Sequence, residues 1–157
     1  MSTATSQPTQ AGRPAGIDPR GPRFTASITL VVFAVALLIS GSAPEAAAVI
    51  TGVQAVLFAI GAGLGVQKTP TGLLFRSLVR PRLNPPSELE DPTPPRFAQA
   101  VGLVFAVVAT IGFATGAVLL GQIFAGFALI AAFLNAVFAF CLGCEMYLLG
   151  LRVAKRA

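Results

Sequence analysis

Four apolar stretches, Phe24 to Ser40, Ala46 to Val66, Ala98 to Leu120 and Gln122 to Leu151, decide what this chain can become. Each approaches or exceeds the roughly 20 residues that carry a helix across a hydrocarbon layer. Hydrophobic residues make up 55% of the chain and charged residues 11%, which leaves too little polar surface for a water-soluble domain. The expected fold is an all-α membrane protein with four transmembrane helices. The first stretch is just long enough to span with little tilt, whereas the last exceeds the layer and must tilt or project beyond it.

Charge placement orients the spans. The basic residues are Arg13, Arg20 and Arg23 before the first span, Lys68, Arg76, Arg80, Arg82 and Arg96 between the second and third, and Arg152, Lys155 and Arg156 at the end of the fourth. The two remaining connections carry none. Cytoplasmic loops are enriched in Lys and Arg, so the N-terminus, the central loop and the C-terminus are expected on the cytoplasmic side (N-in/C-in). The turns around Gly41 to Glu45 and near Gly121 then face outward. The net charge of +5 follows from this topology: basic loops beside spans suit anionic lipid headgroups. No basic motif interleaved with aromatics points to RNA or DNA, and no nucleic-acid partner is expected.

Residues 1–16 are rich in Ser, Thr, Gln, Pro and Gly and contain no apolar run. They read as a disordered tail rather than a cleavable signal peptide, with the first span serving as an uncleaved anchor. The transmembrane domain is expected over residues 17–152 and a short basic tail over 153–157. Ile17 to Arg23, with two prolines, reads as a stiff, charged entry segment at the headgroups. In the central loop, Leu74, Phe75, Leu78 and Val79 fall on one helical arc and Arg76 with Arg80 on another. That is the pattern of a short amphipathic helix lying in the membrane interface, with Arg76, Arg80 and Arg82 as its membrane-interface residues. Beyond it, Asn84 to Pro95 holds five prolines and half of the six acidic residues, which favours an extended path and places acids where they can fold back onto the arginines around them.

Gly61 with Gly65, and Gly112 with Gly116, have the four-residue spacing that lets membrane helices approach closely. Asn135 reads as interhelical glue.

Chemistry centres on the two cysteines of the chain, in Cys141-Leu142-Gly143-Cys144-Glu145. Counting about 20 residues from Ile123 puts them at the cytoplasmic edge of the last span. Helical offsets of three and four place Cys141, Cys144 and Glu145 on one face, with the sulfurs close enough to meet if Gly143 supplies some give. An acid near a span costs about 2.5 to 3.5 kcal/mol at a helix centre, which singles out Glu145. Near the negative end of a long helix both thiols would stay protonated. Reaction would need compensating charge from Arg96 or Arg152, or Glu145 as proton acceptor. A static structural disulfide is disfavoured on the reducing side of the membrane. The chain has no His, so no metal site is expected from two thiolates and one carboxylate, and no haem or iron-sulfur cluster is expected from one chain. Any other cofactor is left open.

Asp18-Pro19-Arg20-Gly21-Pro22-Arg23-Phe24, Glu90-Asp91-Pro92, Pro95-Arg96-Phe97-Ala98-Gln99 and Phe140-Cys141-Leu142-Gly143-Cys144-Glu145 together resemble a family of bacterial membrane proteins, domain of unknown function 4395, common in actinobacteria. The resemblance covers about Ile17 to Arg152 and implies the bacterial cytoplasmic (inner) membrane. It also implies thioredoxin-like or sulfurtransferase-like neighbours, hence thiol or sulfur chemistry. The four-span plan also looks like the vitamin K epoxide reductase and quinone-linked disulfide oxidase group, from which the chain departs: it has no second cysteine pair, and its pair is expected on the reducing side. The expected function is a cytoplasm-facing CxxC pair, with Cys141, Cys144 and Glu145 as the catalytic residues, handling electrons or sulfur with a soluble thiol protein. The alternative is a non-enzymatic accessory or assembly subunit, a homo-oligomer or part of a larger membrane complex, that uses its Gly-lined helices for docking.

Overall fold

A computed structural model describes residues 16–156; the expected N-terminal tail, apart from Gly16, lies outside the described residues. In lipid a backbone can satisfy its polar groups only within its own helix or a closed barrel, and the apolar stretches accordingly form long helices. These are α1 (Arg20–Ile39), α2 (Pro44–Leu64), α4 (Thr93–Ala114) and α5 (Val118–Phe138), each long and apolar enough to cross a membrane. Between α2 and α4 lie a 3₁₀ turn (Val66–Lys68), the short helix α3 (Pro70–Leu74), a π turn (Phe75–Val79) and a second 3₁₀ turn (Arg80–Arg82); a further helix, α6 (Leu142–Ala154), ends the chain. Among the described residues there is no β-strand. One antiparallel backbone pair joins Ile17 to Glu90 through two hydrogen bonds of 2.9 Å.

The interior is made of small side chains and the exterior of large ones. Ala47, Ala55, Ala106, Ala109, Ala125 and Ala128 are buried around Phe33, Phe58 and Phe113, while Leu38 is 83% exposed and Leu119 70% exposed. Water would not tolerate that apolar exterior, and lipid covers it at no cost. The chain is therefore a multi-pass, all-α membrane protein. The small residues let α2 and α4 form the most extensive helix pair, with α4–α5 and α1–α5 next. Hydroxyls and amides stitch the pairs: Thr110 Oγ1 donates to Thr51 Oγ1 at 2.9 Å, Gln54 Nε2 to Thr29 Oγ1 at 3.4 Å, and Gln122 Nε2 to Ser40 Oγ at 3.0 Å.

Two turns fall elsewhere than expected. The third span starts at Thr93, because prolines at 94 and 95 sit in a first turn whose N–H groups have no helical partner anyway, and the Asp91 carboxylate accepts from the Thr93 N–H at 2.8 Å. The α4–α5 turn lies at Thr115 to Ala117, where Gly116 takes φ +80°, and not near Gly121. Gly121 is instead buried in α5, facing Gly112. Only the first glycine of each spaced pair therefore serves helix packing: Gly61 meets Gln99 of α4, whereas Gly65 ends α2 at φ +99°.

One face of the bundle gathers the N-terminal entry, the central loop, the start of α4 and the end of α5. Arginines fasten it, by means the sequence reading did not include. Arg96 Nε and Nη2 donate to the carbonyls of Ala62 and Gly63, at 3.2 and 2.7 Å, closing the end of α2. Arg23 Nη2 donates to Ala136 O near the end of α5 at 3.4 Å. Arg20 makes a paired salt bridge to buried Asp18, both contacts at 3.0 Å, and donates to Asn84 O of the proline strip at 2.9 Å. The strip is thus held by backbone groups, not by Glu88 or Glu90 carboxylates folding onto arginines. The interfacial segment docks through Phe75, buried against Phe24 with ring centroids 5.8 Å apart, which leaves Leu73, Leu74 and Leu78 exposed.

A methyl group on Gly112 would stand 2.5 Å from the Gly121 nitrogen, whereas one on Gly126, also on α5, meets nothing within 4 Å. Gly112→Ala is expected to cost about 1–3 kcal/mol by forcing α4 and α5 apart, while Gly126→Ala is neutral or stabilising; unfolding of both variants in detergent checks this. The Arg20 guanidinium, by hydrogen bonding, holds the Asp18 carboxyl below its ordinary value. A lowered carboxyl stabilises the fold above the unfolded pKa of about 3.9, and that gain fades as pH falls through the lower, folded value. Melting temperatures from pH 7 downward should therefore converge for wild type and Asp18→Asn only in acid.

Candidate functional site: a cysteine pair at a helix start

The last expected span is two helices. α5 stops at Phe138 because Ala139 adopts the left-handed conformation, φ 56°; its N–H donates to Asn135 O and that of Phe140 to Leu134 O, both at 3.1 Å. Those bonds close the end of α5, at the cost of placing a residue with a Cβ where glycine is at ease. Cys141 is then extended (φ −89°, ψ 98°), and α6 begins at Leu142.

This break reverses the electrostatics expected of the pair. Cys141 is the N-cap of α6 and its Sγ accepts the Cys144 N–H at 3.3 Å. The cysteines thus occupy the positive end of a helix, not the negative end of a long one, and an N–H already points at the sulfur. Such a position favours thiolate over thiol. The two sulfurs are joined in a disulfide with Cα atoms 5.2 Å apart, within the usual range.

Glu145 lies in the first turn of α6, exposed, and its N–H donates to Cys141 O at 3.0 Å. Its carboxylate has no partner among the described residues. The insertion cost that made it conspicuous does not arise, since it stands outside the span at a helix start that welcomes an anion. Arg96 is committed to the end of α2, and Arg152 is in the last turn of α6, so neither provides the compensating charge expected. Arg76 and Arg80 border a separate cavity of about 280 Å³ with Asp18 and Gln67, and exposed Arg82 ends the segment. Among the described residues, no three His, Cys, Asp or Glu side chains converge as metal ligands.

Gly143 is a packing residue and not a source of give. It is buried, and a Cβ there would lie 2.6 Å from both the Cα and the Cβ of Ala98. The start of α6 therefore rests directly on α4, and Tyr147 follows onto Phe97 with centroids 5.6 Å apart. Beneath this contact is a cavity of about 240 Å³ bounded by α1, α2, α4, α5 and the beginning of α6; Cys141 is part of its wall and Cys144 is not. Sequence reasoning missed this cavity and assigned Asn135 to interhelical glue. Asn135 and Gln99 line the cavity, and neither side-chain amide has a hydrogen-bond partner among the described residues. Their signal in the sequence was only that each is an amide in an apolar stretch.

Gly143→Ala should lift the start of α6 from α4. After reduction, maleimide labelling of Cys141 and Cys144 is expected to accelerate several-fold in this variant. Gly150→Ala, whose added methyl meets nothing within 4 Å, should label as wild type does.

No curated protein and no solved structure matches this chain. The model of one family, domain of unknown function 4395, matches residues 17–152, a stretch that includes the arginine-fastened face, the four spans and the cysteine pair, and the chain belongs to that family.

Proposed function

We propose that Cys141 and Cys144 are a reversible thiol–disulfide couple on the cytoplasmic face of a protein of the bacterial cytoplasmic membrane, exchanging electrons with a soluble thioredoxin-like partner. The observation that carries this reading is the N-cap position of Cys141, with the Cys144 N–H on its sulfur. The clustering of Arg20 and Arg23 in the first turn of α1, of Arg76, Arg80 and Arg82 between α2 and α4, and of Arg96 in the first turn of α4 supports the cytoplasmic orientation.

Reduction runs by two exchanges. A thiolate of the partner attacks Cys144 Sγ, forming a mixed disulfide and breaking the bond to Cys141, which leaves as thiolate. A sulfur held at a helix start is the better leaving group. The partner's second thiol then loses its proton and attacks its own sulfur in the mixed disulfide, releasing Cys144. The partner ends as a disulfide and the pair as two thiols, the two protons passing from one to the other. Glu145, exposed beside Cys144 in the sequence, is the carboxylate assigned to relay protons.

Acid quenching and thiol mass-tagging in living cells should find the pair partly reduced, and Cys141→Ser should accumulate a mixed disulfide through Cys144. A pair found wholly oxidised under every growth condition, with no adduct in either single-cysteine variant, would defeat the proposal. A persulfide on either cysteine in place of a mixed disulfide would move the reading to sulfur transfer.

A further inference from the structure

The cavity beside Arg76 and Arg80, about 280 Å³ in volume, takes no part in the thiol chemistry, since neither cysteine lines it. Its walls come from the entry segment, the start of α1, the turn after α2 and the interfacial segment. It therefore sits where two spans end, the depth at which hydrocarbon gives way to headgroups. Charge decides what it can hold. Among the described residues, neither the Arg76 nor the Arg80 guanidinium donates a hydrogen bond or pairs with a carboxylate. Asp18, the carboxylate in the wall, is already engaged: Arg20 takes both of its oxygens, each at 3.0 Å. Two cationic forks thus remain for an occupant, and the occupant they favour is an anion.

Shape and surroundings narrow the class. A guanidinium donates two parallel hydrogen bonds to neighbouring oxygens, so two of them at one cavity match the several oxygens of a phosphate. Gln67 in the same wall adds a neutral donor. One water needs about 10–15 Å³; this cavity has room for a phosphate together with its substituents. Buried Val66 and Phe75 supply apolar wall, which suits the carbon of an ester better than a fully hydrated ion. Leu73, Leu74 and Leu78, on the same segment as the arginines, are 52%, 42% and 51% exposed. A bilayer covers such side chains while the cationic face stays among the headgroups, and the phosphate esters at that depth are those of lipids.

We infer that this cavity is a specific site for the phosphate of an anionic phospholipid, held by Arg76 and Arg80. The headgroup is anionic because a zwitterionic one would bring a cation of its own up to two unpaired guanidiniums. This differs from the diffuse attraction of basic loops to a charged surface: the site saturates at one lipid per chain. The bound headgroup joins the entry segment, the turn after α2 and the interfacial segment, three parts of the basic face that the chain itself connects only loosely around this space. Nothing in the inference depends on the redox reading of the cysteines.

The test titrates the full chain in detergent with phosphatidylglycerol, with phosphatidylcholine of the same chain length, or with glycerol 3-phosphate, and follows thermal unfolding. A ligand that binds only the folded state raises Tm by mass action. Phosphatidylglycerol should raise it saturably, with one lipid per chain retained in native mass spectrometry, and phosphatidylcholine should not. Arg76→Gln with Arg80→Gln removes two exposed side chains that bond nothing in the fold, and should weaken the affinity at least tenfold. Lys155→Gln with Arg156→Gln, which removes the same charge from the C-terminal tail, should leave it unchanged. Equal weakening in the two double variants, or an equal Tm rise with phosphatidylcholine, would overturn the site and leave only diffuse attraction. A rise with glycerol 3-phosphate as large as that with the lipid would overturn the lipid as source and make the cavity a site for soluble phosphate esters.

Discussion

A backbone in hydrocarbon has no water to turn to, and this constraint decides where the chain may stop being helical. α5 can end only where its last carbonyls find partners, and the left-handed turn at Ala139 supplies them through the N–H groups of Ala139 and Phe140. Cys141, freed from the helix, becomes the cap of the next one. The chemistry assigned to the pair depends on that step. Had α5 continued, the sulfurs would stand at a negative helix end with no N–H directed at them.

The same accounting explains the arginines. Three of them, Arg20, Arg23 and Arg96, donate to backbone carbonyls in other elements of the basic face: the proline strip, the end of α5 and the end of α2. Each satisfies an acceptor that a helix end or an extended strip leaves open. α4 is thereby fixed to α2, α6 rests on α4 through Gly143 and Ala98, and the cysteines inherit their position from this chain of contacts. Charge that reads in the sequence as a topology signal is also, in the fold, a set of hydrogen-bond donors.

The four spans were legible because length and hydropathy are the whole signal, and the cysteine pair because its residue types are rare in such a chain. The break at Ala139 was not. Phe138-Ala139-Phe140 carries no glycine, proline or charge, so an apolar pattern runs through it unbroken, and only tertiary contact of α6 with α4 reveals two helices. The turn at Thr115 to Ala117 was hidden differently: its Gly116, four residues from Gly112, reads in the sequence as half of a packing pair and not as a turn. Gly61 and Gly112 were read correctly as points of close approach, yet spacing alone could not tell them from Gly65 and Gly116, which serve positive φ. The cavity was invisible because its walls come from five helices, and no local pattern encodes a space between them.

The most direct measurement is the equilibrium reduction potential of the Cys141–Cys144 couple in the full-length protein, titrated against thiol buffers. A couple that exchanges electrons with a thioredoxin-like partner is expected between about −270 and −120 mV, the span of thiol–disulfide catalysts. A value below about −300 mV, where structural disulfides lie, would contradict the account and leave the pair as a static cross-link at the start of α6.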